Sequence, residues 1–336
     1  MYTIIYWGSL MHTVVYAFDD FDMIVEKRIL SALDADIICL KNLDSPESCA
    51  ILGKADALVI TLQKMTAAIM DLMPKCKIIS RLGVGLDNID IPAATAHGMW
   101  VTNVPDYGVD EVSTHAASLM LTLLRGIPQL VNNTRNGKWD SAVARPIRRF
   151  SEQTVGVMGF GRIGRAFATK AKGFGVRIIA YDPLISADTI RATGAEPVDL
   201  DTIFRESDFI SLHLPLTDET KHIVNAKTLA QMKPTACIVN TARGGLVDEA
   251  ALLAAVRAGQ IRGAGLDVLS AEPPPKDNPV LAALLQEERV LITPHFAWYS
   301  EEAMIDMRAK GADEVVRILS GQPPRSPVNQ IWHSRV

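Results

Sequence analysis

Near the middle of the chain, the run Thr154-Val-Gly-Val-Met-Gly-Phe-Gly-Arg-Ile-Gly164 constrains the fold more than any other stretch. Apolar and β-branched residues (Val155, Val157) lead straight into Gly159-x-Gly161-x-x-Gly164, and a helix-like pattern follows from Arg162 to Phe174. Glycines at this spacing suit one kind of strand-to-helix turn. Gly159 permits the tight turn, Gly161 lets a pyrophosphate approach the backbone, and Gly164 lets the helix pack closely on the sheet. The free N–H groups opening that helix, including those of Arg162 and Ile163, would face the phosphates with the helix dipole behind them. Alone the glycine pattern is a weak signal. A second apolar strand, Val176-Arg-Ile-Ile-Ala-Tyr-Asp182, strengthens it by ending in an acid 18 residues after Gly164, where a ribose-binding carboxylate belongs. The bland alternative is an ordinary βαβ turn with an acid at a strand end; the joint pattern weighs against it. The stretch reads as a dinucleotide site.

A chain of 336 residues accommodates two domains of ordinary size, and 48% hydrophobic with 21% charged residues describes a folded protein with a substantial core. The net charge of −4, with no dense Lys/Arg block, argues against a nucleic-acid or anionic-membrane surface. The richest basic patch, Arg145-Pro-Ile-Arg148-Arg149, is short and reads as a solvated connection. Cys39, Cys49, Cys76 and Cys237 show no CxxC spacing, so neither a metal site nor a disulfide is expected. No Lys or Arg precedes Lys27, so the basic start of a signal peptide is missing, and a cytoplasmic location is the expectation. Met11 opens a cleaner first strand than Met1, which leaves open whether residues 1–10 are native.

From residue 13 to 105, short apolar runs at Thr13–Phe18, Asp36–Leu40, Ala57–Ile60, Lys77–Ser80 and Trp100–Asn103 alternate with helical spacing at Glu26–Leu33, Pro46–Leu52, Thr66–Met73 and Ile91–His97. That alternation predicts a parallel sheet with helices on both faces. A strongly apolar helix follows from Val109 to Arg125, broken by Gly126 and Pro128. His115 lies within it and reads more readily as a packing histidine than as a catalytic one. From Thr154 a second series of strands (Phe209–His213, Ala236–Asn240, Gly263–Asp267, Val290–Thr293) and helices continues to a last helix from Ser300 to Leu319. Asp248 is placed to cap the helix after it. The fold class is therefore α/β, with two doubly wound parallel-sheet domains.

In open α/β sheets, chemistry sits at the carboxyl ends of strands. Three such ends carry reactive groups: Arg243 within Asn240-Thr-Ala-Arg-Gly-Gly245, Asp267 followed by Glu272-Pro273, and Thr293-Pro-His295. Arginine suits two-point holding of a carboxylate. Histidine suits proton transfer near neutrality, and a glutamate beside it would orient the ring and favour the imidazolium. Each residue singly is more often structural. Together they describe a site that grips a 2-keto acid and protonates its carbonyl oxygen as hydride arrives.

With Arg81-Leu-Gly-Val-Gly-Leu-Asp-Asn-Ile-Asp90, His213-Leu-Pro-Leu-Thr217 and Asn240-Thr-Ala-Arg-Gly-Gly-Leu-Val-Asp248 added, these motifs carry a family resemblance that covers the chain from about residue 13 to 329. Over that length it resembles the D-isomer-specific 2-hydroxyacid dehydrogenases, a family that includes D-3-phosphoglycerate dehydrogenase and glyoxylate/hydroxypyruvate reductase. Asn103-Val-Pro105, Ile261–Val268 and His295-Phe-Ala-Trp-Tyr-Ser-Glu-Glu302 point within it to the C-terminal-binding-protein-like branch. The resemblance implies a Rossmann NAD-binding domain (106–299) inserted in a flavodoxin-like substrate domain (1–105 plus 300–336). It implies His295 as proton donor, Glu272 as its partner and Arg243 as substrate anchor. Leu214, Pro215, Thr220, Thr241, Ala242 and Asp267 would line the cofactor cleft, and Val84-Gly85 with Arg81 would hold the substrate carboxylate. The helix at 109–125 would help to build a homodimer.

Asp182 with no Arg or Lys within Pro183–Ala187 favours NAD over its 2′-phosphorylated form. Trp298, three residues after His295, is expected either to wall the pocket for the substrate's side chain or to seal a seam between domains. Two functions stand: a dehydrogenase acting on a small 2-keto or 2-hydroxy acid, and an NAD-gated interaction protein on the same scaffold. An intact Arg243/Glu272/His295 set favours the enzyme, because a sensor has no need of a proton donor.

Overall fold

The structure, a computed structural model, describes residues 11–18 and 22–331; the question raised by residues 1–10 lies outside them. In chain order the first elements are β1 (His12–Tyr16), α1 (Ile24–Leu30), β2 (Ala35–Cys39), α2 (Pro46–Leu52), β3 (Ala57–Ile60), α3 (Ala67–Met70), β4 (Ile78–Arg81), α4 (Ile91–Ala96) and β5 (Trp100–Thr102). Then come α5 (Val109–Arg125), α6 (Ile127–Arg135), β6 (Thr154–Met158), α7 (Arg162–Lys172), β7 (Arg177–Tyr181), α8 (Ala187–Ala192), β8 (Glu196–Pro197), α9 (Leu200–Glu206) and β9 (Phe209–Leu212). The last are α10 (Ala226–Leu229), β10 (Cys237–Asn240), α11 (Glu249–Arg257), β11 (Gly263–Leu266), α12 (Pro279–Leu285), β12 (Val290–Ile292) and α13 (Glu301–Leu319). The chain divides into two compact units, one of residues 1–107 with 300–336, the other of residues 108–299.

In the first unit five strands lie in the order β2-β1-β3-β4-β5, every pair parallel. β3 and β4 are buried along their whole length; β3 accordingly reads as an unbroken apolar run, whereas β4 ends in the buried polar pair Ser80 and Arg81. α13 returns to this unit. The Oγ of Ser80 on β4 donates to the Gly311 carbonyl at 3.0 Å. At the other edge of α13, Arg308 forks onto Glu26 of α1 (Nε to Oε1 2.8 Å, Nη2 to Oε2 2.7 Å) and reaches Asp22 at 2.6 Å. Glu26 is completely buried. A carboxylate there is tolerable only with its guanidinium partner in place. The segment after α13 is tied down as well: the buried Glu314 accepts from the amides of Arg325 and Ser326, and Asn329 pairs with the Val101 amide and the Met99 carbonyl.

In the second unit seven parallel strands lie in the order β12-β11-β10-β9-β6-β7-β8. The order reverses beside β6, so β9 and β7 flank it and their connections leave in opposite directions. A crevice must open outside the carboxyl ends of β6 and β9, where Gly159 and His213 follow. One side of the sheet is covered by a core holding Phe204, Ile238, Leu246 and Leu252, the other by one holding Met120, Phe160, Phe167 and Val239.

Two expectations need adjustment. Gly126 and Pro128 do interrupt the helix after Arg125, but a second helix, α6, begins at once: Gly126 is left-handed (φ 58°) and Pro128 sits in the first turn, where its missing N–H costs nothing. α8, α9 and α12 are further helices that apolar spacing did not reveal, each only six or seven residues long. Their sequence signal was the cap rather than the periodicity: Ser186, Asp199 and Asn278 accept from the amides two or three residues on.

The Glu26–Arg308 pair makes a direct prediction. Arg308→Ala strands a buried carboxylate and should lower stability by about 3–5 kcal/mol. Replacing both partners by leucine should cost much less, as read from urea denaturation midpoints.

Candidate functional site

The glycine turn is built from main-chain crowding. Gly159 has φ 91°, and a Cβ there would lie 2.5 Å from the His213 carbonyl carbon. At Gly164 a Cβ would lie 2.0 Å from the Gly159 carbonyl oxygen, so α7 can approach its strand only with glycine at that position. Gly161 differs: a Cβ built on it meets nothing within 4 Å. It caps α7 without a side-chain acceptor, leaving the first helical amides, those of Arg162 and Ile163 among them, facing open space. Such a cradle of N–H groups fits a pyrophosphate.

Asp182, at the end of β7, reaches back to the same turn. Its Oδ2 accepts from the Phe160 amide at 2.6 Å and its Oδ1 from the Leu184 amide at 2.8 Å. The acid therefore holds the turn in shape, a task the sequence alone does not reveal. Across the crevice, His213 is half-buried, hydrogen-bonded to Ser211 Oγ at 2.9 Å, and burial pushes its pKa down to about 3. It is a neutral spacer. Leu214 turns its side chain into the core, so it can offer a ligand only backbone, whereas Pro215 is exposed. Thr220 closes the following loop by donating to the Pro215 carbonyl at 2.7 Å.

Arg243 follows β10 on a loop that Asn240 organises from beneath. The fully buried Asn240 side chain donates to the Arg243 carbonyl at 2.9 Å and accepts from the Ala242 amide at 3.0 Å. Arg243 Nη1 in turn donates to the Ala242 carbonyl at 2.7 Å. The Thr241 hydroxyl beside it is buried without a protein partner, an orphaned polar atom of the kind a bound ligand would satisfy.

The structure brings Glu272 and His295 together: Oε2 lies 2.5 Å from Nδ1. Glu272 Oε1 accepts from the Leu269 amide at 2.7 Å. Desolvation works to raise the Glu272 pKa. The hydrogen bonds from His295 and Leu269, with the charges of His295 and Arg243, outweigh it and hold the carboxyl below its usual range. His295 itself sits at φ 53°, a conformation that costs a non-glycine residue free energy unless its surroundings enforce it. Asp267 supplies the enforcement. Its carbonyl accepts from the His295 amide at 2.8 Å, and its buried carboxylate accepts from the Phe296 and Ala297 amides, both at 2.9 Å. Trp298 follows, half-buried, edge-on to Tyr299 at 5.6 Å and with its carbonyl over Gly108.

Arg81, Val84 and Gly85 belong to the first unit. The Arg81 guanidinium lies against Gly83, where a Cβ would touch Nη1, and the Val84 carbonyl is held by Asn103 Nδ2 at 2.7 Å. Asn240, Asn103 and Thr293 were not singled out as positioning residues from the sequence. An Asn just after or at a strand end, with Asn240 also followed by small residues, is the local signal that could have found the first two.

A family model described as D-isomer specific 2-hydroxyacid dehydrogenase, NAD binding domain, matches residues 117–297. The chain is 40% identical over 289 residues to D-3-phosphoglycerate dehydrogenase of Synechocystis sp., covering 86% of this chain and 51% of that one. It is 40% identical over 280 residues to glyoxylate reductase of Korarchaeum cryptofilum, covering 82% of this chain and 83% of the relative. Its fold superposes on the D-lactate dehydrogenase from Aquifex aeolicus, whose crystal structure holds NAD and lactic acid, with a TM-score of 0.82 and 28% identity over 92% of this chain and 96% of that one. The chain spans about half the length of the D-3-phosphoglycerate dehydrogenases it matches. It belongs to the D-isomer specific 2-hydroxyacid dehydrogenase family, and residues 117–297 are that family's NAD-binding domain.

The contrast between two glycines is testable. Gly161→Ala should leave the melting temperature unchanged, because its Cβ enters open space, yet weaken NADH binding in fluorescence titration. Gly164→Ala should lower the melting temperature as well, since its Cβ meets backbone.

Proposed function

We propose that this member of the D-isomer specific 2-hydroxyacid dehydrogenase family is itself an NAD-dependent oxidoreductase acting on the CH–OH group of D-2-hydroxy acids, and that it reduces small 2-keto acids in the reverse sense. The observation that carries the reading is the 2.5 Å pair of Glu272 and His295 with the Arg243 charge beside it. A chain that only sensed NAD would have no use for that pair.

NAD(H), when bound, would supply or take the hydride at substrate C2. The chain's residues do the rest. Glu272 holds Nδ1, so the ring presents Nε2 as the atom that gives a proton to the keto oxygen and takes it back in oxidation. Arg243 offers a fork suited to the substrate carboxylate and lends positive charge to the carbonyl as it becomes an alkoxide. The family resemblance gives Arg81 and the Val84-Gly85 backbone a part in holding substrate, and Trp298 is proposed for the substrate's side chain, where an indole face favours apolar groups over the bare glyoxylate. The reading keeps the chain in the cytoplasm, where the buried thiols of Cys76 and Cys237 stay reduced. A homodimer is part of it, with α5 helping to build it as the resemblance implies; α6, which follows α5 directly, buries no residue of its own, and Ile127, Val131, Val143 and the 93% exposed Trp139 present apolar surface around it.

The test is NADH oxidation across glyoxylate, hydroxypyruvate, phenylpyruvate and thioether keto acids. No turnover on any of them would sink the proposal. Given turnover, His295→Ala should lower kcat for reduction by about 10²–10⁴-fold. Glu272 stays ionised at neutral pH, because its pKa is held below the usual carboxylate range. Glu272→Gln removes that charge from the Nδ1 side of the ring and should lower kcat for reduction. The Glu272 contribution to folding stability is present above the ordinary carboxylate range and is lost as pH falls through its lowered pKa.

Cofactor choice rests on Asp182, whose charge would meet the 2′-phosphate of NADPH with no basic residue among Pro183–Ala187 to offset it. Asp182→Ser should narrow the preference for NADH over NADPH. Because Asp182 also holds the Phe160 amide, affinity for both cofactors should fall, and equal efficiency with both in the unsubstituted chain would refute the assignment.

A further inference from the structure

His115 belongs to α5, an apolar helix, and from sequence reads as packing. The structure puts its ring on a polar node instead. Nε2 lies 3.0 Å from Thr293 Oγ1 and 3.5 Å from Asp267 Oδ1, while Thr293 Oγ1 donates to the same Oδ1 at 2.5 Å. A threonine hydroxyl has one hydrogen, and here Asp267 takes it. Toward His115 the threonine oxygen can therefore only accept, so Nε2 carries a hydrogen and donates.

We propose that His115 is a positioning residue for His295, acting through Thr293 and Asp267; this rests on the reading of His295 as the proton donor. The chain of contacts is continuous. His115 Nε2–H fixes the Thr293 oxygen, and the Thr293 hydroxyl fixes Oδ1 of Asp267. That oxygen also accepts from the Phe296 amide, its neighbour Oδ2 accepts from the Ala297 amide, and the Asp267 carbonyl accepts from the His295 amide. Those amides follow directly from the residue held at φ 53°. Without the His115 N–H nothing fixes the Thr293 oxygen, and its hydroxyl is free to turn away from Asp267; Asp267 is 1% exposed, so water cannot take the hydroxyl's place, and a carboxylate with one donor fewer is free to rotate off the amides. The ring of His115 keeps a quarter of its side chain exposed, and α5 is otherwise buried through Ala116, Leu119 and Met120. Substitution at His115 therefore alters the node rather than the core.

The experiment compares His115→Leu, His115→Gln, Thr293→Val and the His115→Leu/Thr293→Val double variant. Leucine removes the donor; a glutamine amide can supply an N–H from nearly the same place. His115→Leu should lower kcat for keto-acid reduction by about 10- to 100-fold, the loss expected when a reacting group is displaced by up to about 1 Å. NADH affinity should hold, and His115→Gln should recover most of the rate. The double variant should be no worse than Thr293→Val alone, because both act on one chain of contacts. Amide hydrogen exchange at Phe296 and Ala297 should quicken in His115→Leu and not in His115→Gln. Unchanged exchange in His115→Leu, unchanged kcat, or losses that multiply in the double variant would each overturn the proposal. If the unsubstituted chain turns over no keto acid, the reading of His295 fails, and unaltered exchange in His115→Leu would still overturn the Asp267 linkage independently.

Discussion

A strand packed on both faces can offer chemistry only where it ends. In the seven-stranded unit every strand from β6 through β11 apart from β7 and β8 is buried along its full length, so its interior positions are committed to packing. All the strands are parallel, so all their carboxyl ends lie on one edge, and the reversal of order beside β6 opens that edge. Gly159, Asp182, His213, Arg243, Asp267 and His295 are each within three residues of a strand end for this reason. The site is a consequence of the topology before it is a consequence of any one side chain.

What the topology leaves loose, buried and half-buried polar groups tighten. Three short side chains do most of this. Asn240 clasps the Arg243 loop, Asp182 clasps the glycine turn, and Asp267 clasps the loop that bears His295. Asn240 reaches the backbone of its own loop, and Asp182 and Asp267 reach amides of a neighbouring one, in surroundings where an unmet polar group is costly. Each therefore has one satisfactory arrangement and few alternatives. Glu272 and His295, the pair proposed to handle the proton, are by contrast partly exposed: each keeps 31% of its side-chain surface, which leaves it open to a ligand. Rigidity sits beneath and access sits above.

The first unit solves a different problem. Its last helix, α13, is separated in sequence from the strands it covers by the whole of the second unit. Shape alone would let an amphipathic helix slide or rotate on a sheet. The fork of Arg308 on buried Glu26, with Ser80 on the Gly311 carbonyl, specifies one register at the expense of stability that an apolar pair could have supplied.

The α/β class, the parallel sheets and the glycine turn were legible in the amino-acid sequence, because strand runs and turn glycines carry local signatures; Arg243, Glu272 and His295 stood out only as candidates at strand ends. The helix from Val109 to Arg125 was legible for the same reason, with Gly126 as its stop. Short helices such as α8 and α9 were not, since six or seven residues complete too few turns to show a period. The strand order, the 2.5 Å approach of Glu272 to His295 across 23 residues of chain, and the meeting of His115 with Thr293 across 178 were decided only by tertiary structure. Local sequence records what a residue can do and which element it sits in. Which distant residue completes it depends on how the sheet is ordered and how its loops return, and no short stretch of chain contains that information.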